Sequence, residues 1–148
     1  MTASADQCAH EVLEVVPLVI RVIRAQMRRY RTPALSVPQF RALVHIEANP
    51  GASLSQVAEH VGVTLPSASV LVDGLVQRNL VSREPHSGDR RRVTLTLTHR
   101  GKQTLQQSKE NTQAFLAERL ATLSEAERTK VAQAMHILRD VFSPPQNS

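Results

Sequence analysis

The sequence predicts a mainly α-helical fold that carries one short antiparallel hairpin. Apolar residues recur at helical spacing along most of the chain, and Ser or Thr residues in capping patterns stand before several of these segments. Two alternating segments, 80–84 and 93–98, flank a loop rich in Pro, Ser and Gly, which is the pattern of paired strands. With 148 residues and a hydrophobic fraction of 41%, the chain is expected to form a single domain over residues 1–148.

The first helix is expected over about residues 6–30, where one apolar stripe follows the helical period. This stripe consists of Val12, Val15, Val16, Val19, Ile23, Met27 and Tyr30. Pro17 lies inside the segment and lacks the amide hydrogen that an interior turn of a helix needs. We therefore expect a kink, or else a break, near Val16.

Two shorter helices follow, and each begins at a capping box. Ser36 with Gln39 starts the first of them, and Ser53 with Gln56 starts the second. Gly62 is expected to end the second helix in a tight turn, because glycine readily adopts the left-handed conformation that closes a helix. A short capped helix followed by such a turn is typical of the first half of a helix-turn-helix.

The fourth helix, from Leu65 to about Arg78 with Thr64 as its cap, supplies the second half of that motif. In a helix-turn-helix, the first turns of this helix face base edges in the DNA major groove. The positions expected there are Thr64, Leu65, Pro66, Ser67 and Ser69, whereas Val70, Leu71, Val72 and Leu75 are expected to be internal. Because no Lys or Arg precedes Arg78 in this helix, its base specificity is expected to be modest.

The hairpin carries three adjacent cations, Arg90, Arg91 and Arg92, where its loop enters the second strand. Planar guanidinium groups suit phosphate oxygens and narrow DNA grooves. Asp89 beside them is expected to be ionised and to hold one guanidinium in place. A helix-turn-helix followed by such a hairpin is a winged helix-turn-helix, which we place at residues 36–100. The net charge of +5 agrees with a polyanionic partner.

Two further helices complete the predicted fold. Thr98 is expected to cap a long polar helix, and Ser124 with Glu127 forms the capping box of the last one. The apolar residues that align on this last helix are Val131, Met135, Leu138 and Phe142. The apolar stripes of regions 6–31 and 101–142 exceed what one small core can bury, so we expect these regions to form a homodimer interface.

The segment from Ser53 to Gly101 resembles the DNA-binding core of the multiple-antibiotic-resistance regulator (MarR) family. The matching residues are Leu75, Leu80, Val81, Arg83, Asp89, Arg90, Arg91, Leu97, Thr98 and Gly101. The pattern Asp-x-Arg followed by Leu-Thr is the most specific part of this match. The flanking helices follow the order of that family, so the resemblance covers nearly the whole chain.

The resemblance implies a homodimer that binds a pseudo-palindromic operator in double-stranded DNA and acts as a repressor or activator, with repression favoured. By matching positions, Arg91 would enter the minor groove, Asp89 would fix the wing through an ion pair, and Arg83 would be a further DNA-binding residue. A small apolar or phenolic effector would release the operator. Val70 departs from the family, which often has a basic or polar residue there.

Two other functions remain open. A thiol-based peroxide sensor could act through Cys8, which stands near the start of the chain in a segment expected to fray. A winged helix could also serve as a protein-interaction module. Catalysis is not expected, since the sequence has no P-loop, no Gly-rich nucleotide fingerprint and no nucleophile elbow. No cofactor or metal site is expected, and the absence of a long apolar run favours a cytoplasmic protein without membrane contact.

Overall fold

The structure is a computed structural model that describes residues 2–29, 35–86 and 88–143, with side chains for all of these except 86 and 89–91. Within these residues, six helices and two strands follow in the predicted order. They are α1 (Ala5–Arg29), α2 (Val37–Ala48), α3 (Leu54–Val61), α4 (Leu65–Gln77), β1 (Val81–His86), β2 (Asp89–Leu97), α5 (His99–Leu120) and α6 (Glu125–Phe142). The chain divides into two compact units, Met1–Thr112 and Gln113–Ser148.

The predicted helix starts are confirmed. Full capping boxes precede α2 at Ser36, α3 at Ser53 and α6 at Ser124, each with reciprocal side-chain and backbone hydrogen bonds. Thr64 caps α4 by accepting a hydrogen bond from the amide of Ser67 at 3.3 Å. These starts depend on residues three positions apart, so the local sequence is sufficient to specify them.

Helix α1 runs without interruption through Pro17, so the break considered near Val16 does not occur. Its start is capped by Ser4, whose hydroxyl accepts a hydrogen bond from the amide of Gln7 at 3.1 Å. Cys8 follows in this capped turn and is exposed, which corrects the expectation of a frayed segment. The predicted end of the helix at Tyr30 lies outside the described residues.

The core of the first unit lies where α2, α3 and α4 meet the hairpin and the start of α5. Its buried residues come from elements that are distant in the sequence, so they define one three-dimensional cluster. They are Leu35, Ala42, Leu43, Ile46, Ala52, Val57, Val61, Val72, Leu75, Leu80, Val81, Leu95 and Leu105. This cluster holds the helix-turn-helix and the hairpin together.

The prediction that Val70 is internal is wrong, because its side chain is 73% exposed. Ala68, Val72 and Leu75 take the core-facing side of α4, at helical spacings of four and three residues. Val70 lies two positions from both Ala68 and Val72, so its side chain points to the opposite side of the helix. A run of adjacent apolar residues cannot be buried as a whole in a helix that packs on one side only.

The hairpin is longer than predicted, since β1 reaches His86 and β2 begins at Asp89. The pairing along β2 jumps from Val93 to Asp89, while β1 advances only from Pro85 to His86. The three arginines 90–92 therefore belong to an irregular stretch of β2, which begins four residues before the predicted second strand.

A short isolated bridge between Ala52 and Leu95 adds a second pairing beside this hairpin. The amide of Gly51 donates to the carbonyl of Leu95 at 3.0 Å, and the amide of Leu95 donates to the carbonyl of Ala52 at 2.9 Å. The residues just before α3 are thereby joined to β2 near its end, two residues before Leu97. The sequence pattern did not predict this bridge, because one residue cannot produce an alternating signal.

The passage from α4 into β1 is fixed by a helix-terminating turn. Asn79 adopts a left-handed conformation with φ of 60°, and the amide of Leu80 donates to the carbonyl of Leu75 at 2.9 Å. Thr98 stabilises the same turn, because its hydroxyl donates to the carbonyl of Asn79 at 2.6 Å and accepts from the amide of Gly101 at 2.9 Å.

None of the helices in the described ranges has the length and apolarity to cross a membrane.

Candidate nucleic-acid interface

The first turn of α4 presents a small polar surface to solvent. Thr64, Leu65, Pro66 and Ser67 are exposed, and Ser69 is half-buried. The hydroxyl of Thr64 donates to that of Ser67 at 3.0 Å, which orients both groups at the helix start. Unpaired amides and the helix dipole give such a start a partial positive charge that favours phosphate oxygens. The exposure predicted for this turn is confirmed.

Arg92 on β2 lies beside that turn. Its exposed side chain and Leu65 line one cleft of about 640 Å³. The cleft is completed by Gly51, Ser53, Leu54, Ser55, Gln56, Val93 and Thr94. A guanidinium and the start of α4 are thus brought to the same surface by the bridge that joins β2 to the residues before α3. The predicted wing cation and the predicted reading helix lie together in the structure.

The remaining predicted wing residues separate into two groups. The side chains of Asp89, Arg90 and Arg91 lie outside the described residues, so the expected ion pair of Asp89 stays a prediction. Arg83 is described, and its guanidinium forms an ion pair with the carboxylate of Asp73 on α4. This pair is partly exposed, so its contribution to stability is small.

The ion pair between Arg83 and Asp73 nevertheless links the outward side of α4 to β1. It offsets the negative charge of Asp73, which would otherwise repel an anionic partner close to this helix. Sequence reasoning singled out Arg83 but not Asp73. Ten residues and a helix–strand boundary separate the two, so only the packing of α4 against β1 shows the contact.

Arg41 is a second residue that the sequence analysis missed. Its guanidinium donates to the carbonyls of His60 at 2.8 Å and Val61 at 3.1 Å, both in the last turn of α3. A cation at this end satisfies carbonyls that have no partner within the helix and opposes the negative end of its dipole. Arg41 therefore fixes α3 against α2 just before the turn at Gly62, whose φ is 78°.

Two imidazoles stack between α2 and α3. The rings of His45 and His60 have centroids 4.5 Å apart, and Asn49 Nδ2 lies 3.4 Å from His45 Nδ1. With Gln56 and Glu59 they line a small cleft of about 290 Å³. Burial, and to a lesser extent the neighbouring His60, lowers the pKa of His45 below 6.5. Among the described residues, no group of three His, Cys, Asp or Glu side chains is placed to hold a metal ion.

The curated proteins that resemble this chain include HTH-type transcriptional regulators from two bacteria. The uncharacterised HTH-type transcriptional regulator Mb0904 of Mycobacterium bovis is 31% identical over 125 residues, which cover 82% of this chain and 87% of that protein. The HTH-type transcriptional repressor MdtR of Bacillus subtilis is 26% identical over 135 residues, covering 90% of this chain and 85% of MdtR.

Solved structures of similar fold include a complex with DNA. The crystal structure of FabT from Streptococcus pneumoniae in complex with DNA matches with a TM-score of 0.63 at 20% identity, covering 93% of this chain and 96% of FabT. The profile of the MarR family matches residues 35–92, the segment that contains α2, α3, α4, β1 and the arginines of β2. Sequence, element order and fold agree, and the chain belongs to the MarR family of winged helix-turn-helix transcriptional regulators.

Proposed function

We propose that the chain is a homodimeric repressor that binds a pseudo-palindromic DNA operator and is released by a small apolar or phenolic ligand. The observation that carries the proposal is the common cleft of Leu65 and Arg92. The start of α4 fits the major groove, and a wing of three arginines fits the adjacent minor groove. The winged helix-turn-helix of residues 36–100 supplies both contacts.

The homodimer is supported by apolar surface on both terminal helical regions, 6–31 and 101–142. Leu13, Val15, Val16, Leu18, Val19 and Ile20 are exposed on α1. On α6 the exposed apolar residues are Val131, Met135, Ile137, Val141 and Phe142. Monomeric proteins rarely expose contiguous apolar patches of this extent, and such patches mark interaction surfaces. A two-fold dimer would present two wings and two α4 helices to successive half-sites.

The assignment as a repressor draws on the relatives, since MdtR is named a repressor and FabT was solved in complex with DNA. The inducing ligand rests on the family resemblance. A ligand that prefers the DNA-free arrangement of the two lobes would lower operator affinity by its difference in affinity for the two arrangements. An enzymatic role is not proposed, because the relatives are named regulators.

An operator titration tests the proposal. A duplex selected from genomic fragments would be titrated by fluorescence anisotropy with the wild type, with Arg91→Ala and with Arg139→Ala. The last variant removes the same charge from α6. We expect Arg91→Ala to weaken binding by about tenfold or more while the dimer persists, because a wing cation contacts the DNA backbone or the minor groove.

Two further arms of that titration complete the test. Raising the salt from 50 to 200 mM should weaken binding by about a thousandfold if the dimer makes six or more phosphate contacts. Adding a series of phenolic acids should release the operator. Equal affinity of Arg91→Ala and Arg139→Ala would remove the wing from the mechanism. Operator binding that no phenolic ligand affects would remove the proposed inducer.

A further inference from the structure

The outward side of α4 has an apolar centre. Pro66, Val70, Asp73 and Gln77 follow one another at spacings of four, three and four residues, so they share the helix side opposite to the buried Ala68, Val72 and Leu75. Val70 stands in the middle of this row, and its side chain is 73% exposed. In the proposed complex, this is the side of the helix that would face the floor of the major groove.

The chemistry available on that side is restricted. Helix α4 contains no Lys or Arg from Leu65 to Gln77, so it lacks the bidentate cation that recognises guanine. The carboxylate of Asp73, the charged group in the row, is engaged by Arg83. Val70 has two methyl groups and neither donates nor accepts a hydrogen bond. The feature of a base pair that such a side chain can recognise in the major groove is the C5 methyl group of thymine.

We propose that Val70 is a specificity-determining residue that recognises thymine through its C5 methyl group in each operator half-site. This inference rests on the proposed function and assigns part of the sequence that the operator must contain. Leu65, which is 50% exposed at the start of α4, is a second exposed apolar side chain of this helix and lines the cleft that Arg92 also lines. Base recognition by α4 is then mainly apolar, while phosphate contacts from the wing supply affinity without sequence information.

The test removes the methyl group and leaves the hydrogen-bonding pattern of the base unchanged. Operators obtained by selection from random duplexes would be synthesised with deoxyuridine in place of each thymine in turn. At the thymine under Val70, we expect the wild type to bind the deoxyuridine duplex about fourfold more weakly, the factor that corresponds to burying one methyl group. Other thymines provide the internal reference.

Protein variants identify the residue that senses the methyl group. In Val70→Ala, the affinity ratio between the thymine and deoxyuridine duplexes should fall close to one. Because Val70 is exposed, this variant is expected to fold, and its circular dichroism and melting curve would verify that. Ser67→Ala on the same helix is the matched control. It is expected to keep the fourfold ratio even if its overall affinity falls.

The outcomes separate this inference from the function on which it rests. A protein that enriches no sequence in the selection would overturn the proposed function, and the recognition of thymine with it. Specific binding that no deoxyuridine substitution weakens would overturn the inference alone. A ratio that survives in Val70→Ala, or that disappears equally in Ser67→Ala, would remove Val70 as the residue responsible.

Discussion

His45 shows how a single side chain can make the stability of the DNA-binding lobe depend on pH. Its imidazole packs against that of His60, and its Nε2 atom is buried without a hydrogen-bond partner. Burial favours the uncharged ring, and the neighbouring imidazole adds to this effect. The folded protein therefore holds His45 neutral at pH values where the unfolded chain already binds a proton there.

The direction in which the pKa of His45 is shifted determines whether the protein becomes more or less stable as the pH falls. Because this pKa is lowered below 6.5 in the folded state, the contribution of His45 to the unfolding free energy should be constant well above pH 6.5 and should fall as the pH decreases below it. One proton is involved, so the slope cannot exceed about 1.4 kcal/mol per pH unit. Urea titrations between pH 5 and pH 8 would measure it.

Two variants isolate His45 from the other titrating groups. His45→Gln should lose the part of the slope that His45 contributes. His136→Gln makes the same substitution at an exposed histidine on α6, away from the stacked pair, and is the matched control. Identical slopes in the wild type and in His45→Gln would contradict the account of the stacked pair.

At the scale of elements, the junction between α4, β1 and α5 depends on a close approach of two backbones. A Cβ atom at Gly101 would overlap the carbonyl oxygen of Leu80 and lie 2.9 Å from its carbonyl carbon. The Leu80 carbonyl is also the acceptor for the amide of Thr98, at 3.1 Å, so it cannot move away freely. Glycine at position 101 is therefore required by packing.

We predict that Gly101→Ala lowers the unfolding free energy by about 1–3 kcal/mol, the usual cost of forcing extra volume into a packed site. Gly74→Ala is the matched control, because a Cβ atom at Gly74 would meet nothing within 4 Å. That substitution in a helix should stabilise the protein by about 0.5–1 kcal/mol. Urea unfolding of the two variants would measure both changes, and equal stabilities would refute the packing argument.

The elements also show which features a sequence can predict. Ser36, Ser53 and Ser124 were recognised as helix caps because each cap depends on a residue three positions away. The outward direction of Val70 was missed, because adjacent apolar residues do not show which side of a helix will find a neighbour. The pairing of Ala52 with Leu95 was missed for a similar reason, since it joins segments separated by more than forty residues.

The same distinction applies to the candidate site. The exposed turn at Thr64–Ser67 was predictable, because the cap and the turn before it are local features. The partner of Arg83 was not, because Asp73 reaches it only through the packing of β1 on α4. The start of β2 was also placed too late, since a run of charged residues gives no alternating pattern although the backbone is extended there.

At the scale of the whole molecule, the exposed apolar side of α6 indicates a surface that contacts another protein chain. Met135 lies on this side, about half exposed, together with Val131 and Phe142. We predict that Met135→Glu converts the proposed dimer into monomers, because burying an unpaired carboxylate in an apolar interface is strongly unfavourable. Size-exclusion chromatography with light scattering would measure the mass.

The control for this variant introduces the same charge next to it. His136 points away from the apolar side of α6 and is exposed, so His136→Glu should remain dimeric. The monomeric form of Met135→Glu should also bind the operator more weakly, since one half-site alone no longer benefits from the linked second contact. A Met135→Glu protein that keeps the dimer mass would exclude this side of α6 from the interface.

The two backbone hydrogen bonds that join Leu95 to residues 51 and 52 affect the entropy cost of binding a ligand with the hairpin. A hairpin attached only at its two ends would sample many orientations and would lose that freedom on meeting a ligand. This hairpin is also paired at Leu95, close to its base, so part of that freedom is already lost during folding and less entropy remains to oppose association. In the proposed complex, the strand that carries the arginines would therefore bind DNA at a smaller entropic cost, and it would move together with the residues before α3 to which it is hydrogen-bonded.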